Sequence, residues 1–494
     1  MKKGLLFASL LLVGASVSAQ ETRNDAVKES ETYATTNGVT CENLWSLSRG
    51  SVGNDVIALN YAFSGNYSVA TIVDGEYIYV FTSDPTSFQL PEGNQACFEK
   101  FNMLTGEFLG RTFLTLDGAA YSGTLCANTA GIDEAGNAWV ASYGDNQNGD
   151  VVSHPGVYFI DLETGVLTRI PGLDTLLFDG QATRIDYLSI VGDLTGETMG
   201  CSIMGASCMG DNNRVHYWYL EQGGDAYIGG WSDGSYAQEI VETYPAGTVG
   251  FNTGSMVRIC RPSNNGVAEL FYIDANTTGP ALYSTDLTML DNLGNADLQA
   301  TAEDGTVTGT LPQASVGTNG ICEVKLGDTN LMVYSISQYD KGDDSNKAVI
   351  GLVDENLSME SMQYLWTVPA GVGLGESKGG GRRYHTLEAY GTEENGKPVA
   401  YFVTYKESNG MAVYKLGLEG DGGVAANVAE TAQIRVNGDV IAVSETAESI
   451  EVYNIAGQKV AEAQNATEVA APQNGVYVVK AVVAGTPVVK KVIL

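Results

Sequence analysis

Between Phe101 and Gly279 the chain repeats one short phrase: an apolar run, an Asp or Asn, a few polar residues, Thr-Gly, and a second apolar run. The copies are Phe101-Asn102-Met103-Leu104-Thr105-Gly106 and, 59 residues on, Ile160-Asp161-Leu162-Glu163-Thr164-Gly165. Variants follow at Gly192-Asp193-Leu194-Thr195-Gly196 and Ile273-Asp274-Ala275-Asn276-Thr277-Thr278-Gly279. Each reads as a β-hairpin, because an Asp or Asn side chain accepts backbone amides across a tight turn while Gly supplies the positive φ that closes it.

A chain punctuated in this way has little room for helices. Gly is 60 of 494 residues, and Tyr is 26 against only 12 Pro, a composition that suits many short strands joined by tight turns. Beyond the N-terminal apolar run, the one short helix expected is Tyr236 to Glu242. Hairpins recurring at a near-constant spacing point to an all-β fold of repeated sheets, and residues 38–418 hold six or seven units of about 55–60 residues. Gly131-Ile132-Asp133-Glu134-Ala135-Gly136-Asn137-Ala138-Trp139-Val140 resembles the hairpins of β-propeller blades. The expected fold is therefore a β-propeller of six to eight blades. The same alternation permits a pair of β-sandwiches, but closure of a propeller removes long sheet edges.

Both ends of the chain carry addresses. Lys2-Lys3, the apolar run Leu5 to Val13 and the small residues Val17-Ser18-Ala19 fit a signal peptide over residues 1–19, cleaved before Gln20. Residues 20–37 are polar and read as a flexible leader, and no later stretch approaches the roughly 20 apolar residues of a membrane span. Small residues over 419–430 form a linker to a terminal module, residues 431–494, expected to be a small Ig-like β-sandwich with Ile450, Val452, Val476 and Val478 facing its core. Three pieces of that module are Val452-Tyr453-Asn454-Ile455-Ala456-Gly457-Gln458-Lys459-Val460, Gly475-Val476-Tyr477-Val478-Val479-Lys480, and Lys490-Lys491-Val492-Ile493-Leu494. In this order they resemble the C-terminal sorting domain of type IX secretion substrates, with Gly457, Gly475, Tyr477, Lys490 and Lys491 as the matching positions. The resemblance implies the secretion machinery as a partner and a secreted or outer-surface location.

The formal net charge is −33, and −35 once Lys2 and Lys3 leave with the signal peptide, so a nucleic-acid backbone would be repelled. Seven cysteines are too sparse for a disulfide scaffold, and Cys201 and Cys208, flanking Gly205-Ala206, are the one pair expected to bridge a hairpin. Asp145, Asn148 and Asp150 in one loop, and Asp340, Asp343 and Asp344 in another, place oxygen ligands that suit calcium, although neither loop completes an EF-hand and solvated turns explain both. No other cofactor is expected.

Gly230-Trp231-Ser232-Asp233-Gly234 fits the G-x-S-x-G nucleophile pattern, but the strand and helix alternation that would expose such a serine is missing. Trp231 is more useful as an aromatic platform at a loop tip. His154, His216 and His385 show no metal-ligand spacing. The run Lys378-Gly379-Gly380-Gly381-Arg382-Arg383-Tyr384-His385 sets two arginines beside three glycines, where Arg382 and Arg383, with His385, would fork onto a carboxylate or sulfate. Pairing with surface acids is the plainer reading. The chain thus reads as an exported propeller that binds a glycan or protein ligand. The alternatives are a glycan- or peptide-acting hydrolase or lyase using a carboxylate pair in the channel, and a purely structural surface protein.

Overall fold

The computed structural model describes, in its first unit, residues 32–48, 56–59, 68–82, 95–121, 124–144, 146–147, 150–151, 156–170, 185–207, 214–225, 227–229, 256–262, 266, 268–275, 278–285, 288–293, 299–301, 307–310, 320–336, 347–359, 362–370, 374, 385–406 and 410–419. In the second it describes residues 434–437, 440–454, 458–470, 476–483 and 486–493. The division falls between Met1–Gly420 and Asp421–Leu494.

The first unit is a six-bladed β-propeller. Blade one is Ser68–Val73, Tyr77–Thr82, Cys97–Asn102 and Phe108–Phe113, paired antiparallel in chain order. Blade two is Thr124–Ile132, Ala138–Gly144, Val157–Ile160 and Val166–Arg169, widened by Thr115–Leu116 and Ala119–Ala120. Blade three runs from Ile185–Gly192 through Cys201–Ser207 and Arg214–Leu220 to Ile228–Gly229. Blade four is Met256–Pro262, Ala268–Ala275, Thr278–Ser284 and Met289–Asn292; blade five is Ile321–Leu326, Thr329–Ile336, Lys347–Val353 and Gln363–Val368. Blade six takes three strands from the end of the unit, His385–Glu394, Lys397–Lys406 and Gly410–Leu418, and its fourth, Val39–Ser48, from the beginning. Each blade's first strand lies against those of its two neighbours, and the circuit returns from blade six to blade one.

Faces of adjacent blades bury the alternating apolar residues of their strands. Tyr79, Phe81 and Phe98 of blade one pack with Val140 and Tyr158 of blade two, and Cys322, Val333 and Ile350 of blade five pack with Phe402 and Tyr414 of blade six. Phe81, Phe98, Phe101, Phe271 and Phe402 are fully buried, each stabilising the fold by about 1.5–3 kcal/mol. The seam between blades six and one carries a buried charge. Glu99 accepts Ala58 N at 2.8 Å and Arg111 Nη2 at 2.6 Å, while Tyr405 Oη donates to Ala58 O at 2.8 Å. These bonds pin the 3-10 turn Ile57–Leu59 from both sides.

The hairpin phrases do what their residues dictate. Asn102 Oδ1 accepts Leu104 N and Thr105 N, Asp161 Oδ1 accepts Glu163 N and Thr164 N, and Gly106 and Gly165 sit at φ 72° and 73°. Those two turns are equivalent, joining the third and fourth strands of consecutive blades. The variant at Asp193 instead joins the first two strands of blade three, and that at Asp274 the middle strands of blade four. The phrase marks hairpins and not one fixed place in each blade.

One boundary differs from expectation. The leader ends earlier, since Thr32–Thr36 pairs with Val39–Ser48 as an outermost strand of blade six. In the second unit, all five described strands join one antiparallel sheet. The 15-residue strand Val440–Asn454 makes this possible: its start pairs with Ile434–Asn437, its end with Val476–Val483, and its other edge with Lys459–Ala470. Ile450 and Val452 face the core as expected, and the strand Val476–Val483 buries Val479, Ala481 and Val483; the side chains of Val476 and Val478 lie outside the described residues.

Candidate functional site

The six innermost strands wall a cavity of about 570 Å³ on the propeller axis. Every blade contributes, from Thr71, Gly131 and Ser189 of blades one to three to Arg258, Glu323 and Glu388 of blades four to six. Strand alternation brings charges here, because a residue on an edge strand of the ring whose neighbours face the blade cores is itself turned toward the axis.

The strongest interaction in the cavity skips a blade. Arg258 of blade four donates from Nη1 and Nη2 to Glu388 Oε1 and Oε2 of blade six, at 3.0 and 2.9 Å. Blade three adds Tyr187, whose Oη lies 3.5 Å from Arg258 Nη1. The two side chains are 27% and 16% exposed, so the fork is largely screened from water. Burial works against the guanidinium charge, but Glu388 outweighs it and raises the Arg258 pKa further. Between them in sequence order, Cys322 of blade five is pushed up to about 12 by burial.

Among the described residues the cavity wall carries four carboxylates, Asp74, Glu134, Glu323 and Glu388, against Arg258 and Lys325. Lys325 Nζ lies 3.7 Å from Glu323. Asp74 is tied locally, accepting Glu76 N, Tyr77 N and Tyr79 Oη. Glu134 stands just beyond the first strand of blade two. It exchanges two bonds with Gly192 of blade three: its carboxylate accepts Gly192 N, and its own N donates to Gly192 O at 3.1 Å. Burial raises its pKa above the ordinary value, Asp133 adds to this, and the backbone donors and Arg258 pull back.

Two neutral groups in the wall are left unsatisfied. Trp139 Nε1 and Thr71 Oγ1 have no hydrogen-bond partner among the described residues, although the side chains are on residues only 4% and 1% exposed. An unmade buried hydrogen bond of this kind costs about 1–3 kcal/mol. The indole ring lies over Gly131, where a Cβ would fall 3.1 Å from Trp139 Nε1. Other buried indoles in the unit are satisfied, Trp45 by Met103 O at 2.7 Å and Trp366 by Ala34 O at 3.0 Å.

The residues singled out in sequence fall mostly elsewhere. Trp231, Arg382, Arg383, His154, Asp145, Asn148, Asp340, Asp343, Asp344, Gly457 and Gly475 lie outside the described residues, as does the segment Tyr236 to Glu242. Asp150 belongs to a two-residue strand with Val151, Tyr477 to the strand Val476–Val483, and Lys490 and Lys491 to Thr486–Ile493. His385, expected beside the arginines as a ligand contact, has no exposed surface: it bonds Thr404 Oγ1, and burial together with Lys406 holds its pKa well below the ordinary range. The Cys201–Cys208 bridge is corrected. Cys201 is a free buried thiol at the start of the continuous strand Cys201–Ser207, and Cys208 lies outside the described residues. No cluster of three metal-ligating side chains occurs among the described residues.

Sequence reasoning anticipated a channel but named none of its residues. Gly131, Glu134 and Trp139 all stood in the recognised hairpin, and their shared position only emerges when blade two is set against blade three.

No family profile and no curated protein matches the chain. Among solved structures it is similar to a Trypanosoma rangeli sialidase in complex with the inhibitor DANA, at 9% identity over 94% of this chain and 89% of that one, with a TM-score of 0.39. It is also similar to a subtype N11 neuraminidase-like protein from a flat-faced bat of Peru, at 9% identity over 81% of this chain and 99% of that one, with a TM-score of 0.34.

Proposed function

We propose that this chain is an exported six-bladed β-propeller that binds a small polar ligand in its central channel. One observation carries the reading: a closed ring of blades encloses about 570 Å³ of space, within the range of ligand pockets, lined by charged and hydrogen-bonding groups from every blade. Binding is favoured over catalysis because the charges are committed to one another or to backbone, as Arg258 is to Glu388 and Glu134 to Gly192. Isothermal calorimetry of residues 20–494 against sugars, acidic sugars and amines tests it. The Arg258→Met, Glu388→Leu double variant is expected to stay folded and lose binding, and undiminished binding in that variant would place the ligand elsewhere.

Export rests on the signal-peptide pattern at residues 1–19 and on the resemblance of the last module to type IX sorting domains. Deleting residues 431–494 should hold the propeller inside the cell envelope, measured by cell fractionation. A second reading, a glycan-acting hydrolase, is favoured by the raised Glu134 pKa, which would suit a proton donor. Under that reading Glu134→Gln abolishes turnover of a bound sugar without weakening its binding.

A further inference from the structure

We infer that the channel takes an alkyl ammonium ligand, a primary amine on an apolar stem, held at the channel mouth by Asp74 and Glu134 with its stem against Tyr390. The inference rests on the channel-binding reading and narrows it to one chemical class.

The cavity has a floor and a mouth. Along the innermost strands of blades two and five exposure rises toward the strand end, from 6% at Ala130 to 37% at Ile132, and from 12% at the Glu323 side chain to 58% at Lys325. Blade six repeats this, from the buried Leu387 to the exposed Gly391. The Arg258–Glu388 fork, with Tyr187 beside it, crosses the deeper level. The cavity therefore opens where the innermost strands end. Asp74 and Glu134 stand at that mouth, just beyond the strands Ser68–Val73 and Thr124–Ile132.

Negative charge at the mouth is uncompensated. Glu388 is paired with Arg258 and Glu323 lies 3.7 Å from Lys325, which leaves Asp74 and Glu134 without an ion pair among the described residues. Backbone amides fill part of each carboxylate, Glu76 N and Tyr77 N at Asp74 and Gly192 N at Glu134. Amides bring no full charge, whereas an ammonium brings one together with three donors. Tyr390 adds an aromatic face. Its ring backs onto Gly75, where a Cβ would fall 2.4 Å from Cζ, and onto the apolar cluster between blades six and one, yet the residue is only half-buried and lines the cavity. A ring face beside a carboxylate attracts a cation. Blade one already uses this arrangement: Lys100 Nζ stands 3.5 Å from the centroid of the Tyr77 ring, whose hydroxyl bonds Glu76. Val73 and Ile132 line the same mouth and suit an aliphatic stem.

Other ligand classes meet this mouth less well. An anion would have to break the screened fork, in a wall already more acidic than basic. A neutral sugar would bond the carboxylates and leave their charge in place. A bare metal ion needs several converging ligands, and no three metal-ligating side chains converge among the described residues. The formal charge of −33 also draws cations toward the protein.

The test is calorimetric titration of residues 20–494 with cadaverine, spermidine, 1,5-pentanediol, maltotriose and trigalacturonate. The expected result is that an amine binds more tightly than the isosteric diol, that added salt weakens it, and that Glu134→Gln and Tyr390→Leu each weaken it about tenfold. Glu134→Gln keeps an acceptor for Gly192 N, so it tests the charge even where Tyr390→Leu is unstable in a thermal melt. Amine binding that is undiminished in Glu134→Gln, or matched by the diol, overturns the inference; the channel reading stands if that binding is lost in the Arg258→Met, Glu388→Leu variant. Binding of only maltotriose or only trigalacturonate, lost in the same double variant, also overturns the inference and keeps the channel reading. Absence of binding by all five compounds at millimolar concentration overturns both.

Discussion

Asp133 and Glu134 are neighbours in sequence, one in a hairpin turn and one in the channel wall, and the fold treats them in opposite ways. Asp133 accepts Ala135 N and Asn137 N at one oxygen, and Asn137 Nδ2 and Leu194 N at the other. Glu134 accepts at its carboxylate from backbone alone, Gly192 N and its own N–H, and lines the cavity. The same division separates Trp45 from Trp139. At Asp133, Glu99 and Trp45 the polar bonds are completed within the protein, whereas Trp139 Nε1, buried between blades two and three, makes none among the described residues.

The largest test of this division is at the seam between blades six and one. Glu99→Ala removes a fully buried carboxylate and strands Arg111 and Ala58 N, so urea denaturation should show a loss of about 3–5 kcal/mol. A loss under 1 kcal/mol would mean that the bonds drawn as structural are not. Arg258→Met should cost about 2–3 kcal/mol, less because the pair is partly exposed, and Glu388→Leu added to it should recover most of that. If the double variant is no better than the single, the channel pair belongs with the structural groups. Smaller effects separate the indoles: both Trp45→Phe and Trp139→Phe leave a core cavity, but Trp45→Phe also forfeits its bond to Met103 O and should cost about 1 kcal/mol more than Trp139→Phe, which loses no bond.

The smallest effect is a difference in sign. Against the upward pull of burial, bonds from Thr195 and Thr198 bring Asp193 down to about 2. Its contribution to stability is therefore present above the ordinary Asp value of 3.8 and lost as pH falls through about 2. Glu134 is shifted the other way, with Asp133 and Arg258 as its charged neighbours, so its contribution is greatest below the ordinary Glu value of 4.5 and is lost as pH rises through the raised one. Relative to wild type, Asp193→Asn should lose its penalty at low pH and Glu134→Gln should gain stability toward neutral pH. Parallel pH profiles for the two variants would erase the distinction.

How much of this the sequence showed follows from the range of the interactions. Asn102, Asp161 and Asp193 bond amides two to five residues away, so their turns are written in the local string. Arg258 and Glu388 are 130 residues apart and meet only because blade six lies across the channel from blade four. Nothing near either residue announces the other. Alternation predicted that Ile450 and Val452 face a core, and both are buried there. Cys201 and Cys208 looked close because Gly205 and Ala206 between them resembled a turn, whereas pairing on both sides within blade three keeps those residues extended.

The pairing of Val39–Ser48 with Gly410–Leu418 also sets an order of events in folding. Trp45 lies opposite Val413, so a strand near the start of the unit completes its pairing only with the last one, after the residues of five blades between them. Closing a loop of that length costs on the order of 5 kcal/mol in chain entropy before a single bond of the pair repays it. A transition state that includes this step would be slow and governed by topology. Until it is passed, blade six has three strands and an open edge, so a chain interrupted anywhere before Leu418 is left with a gap that its own beginning was meant to fill.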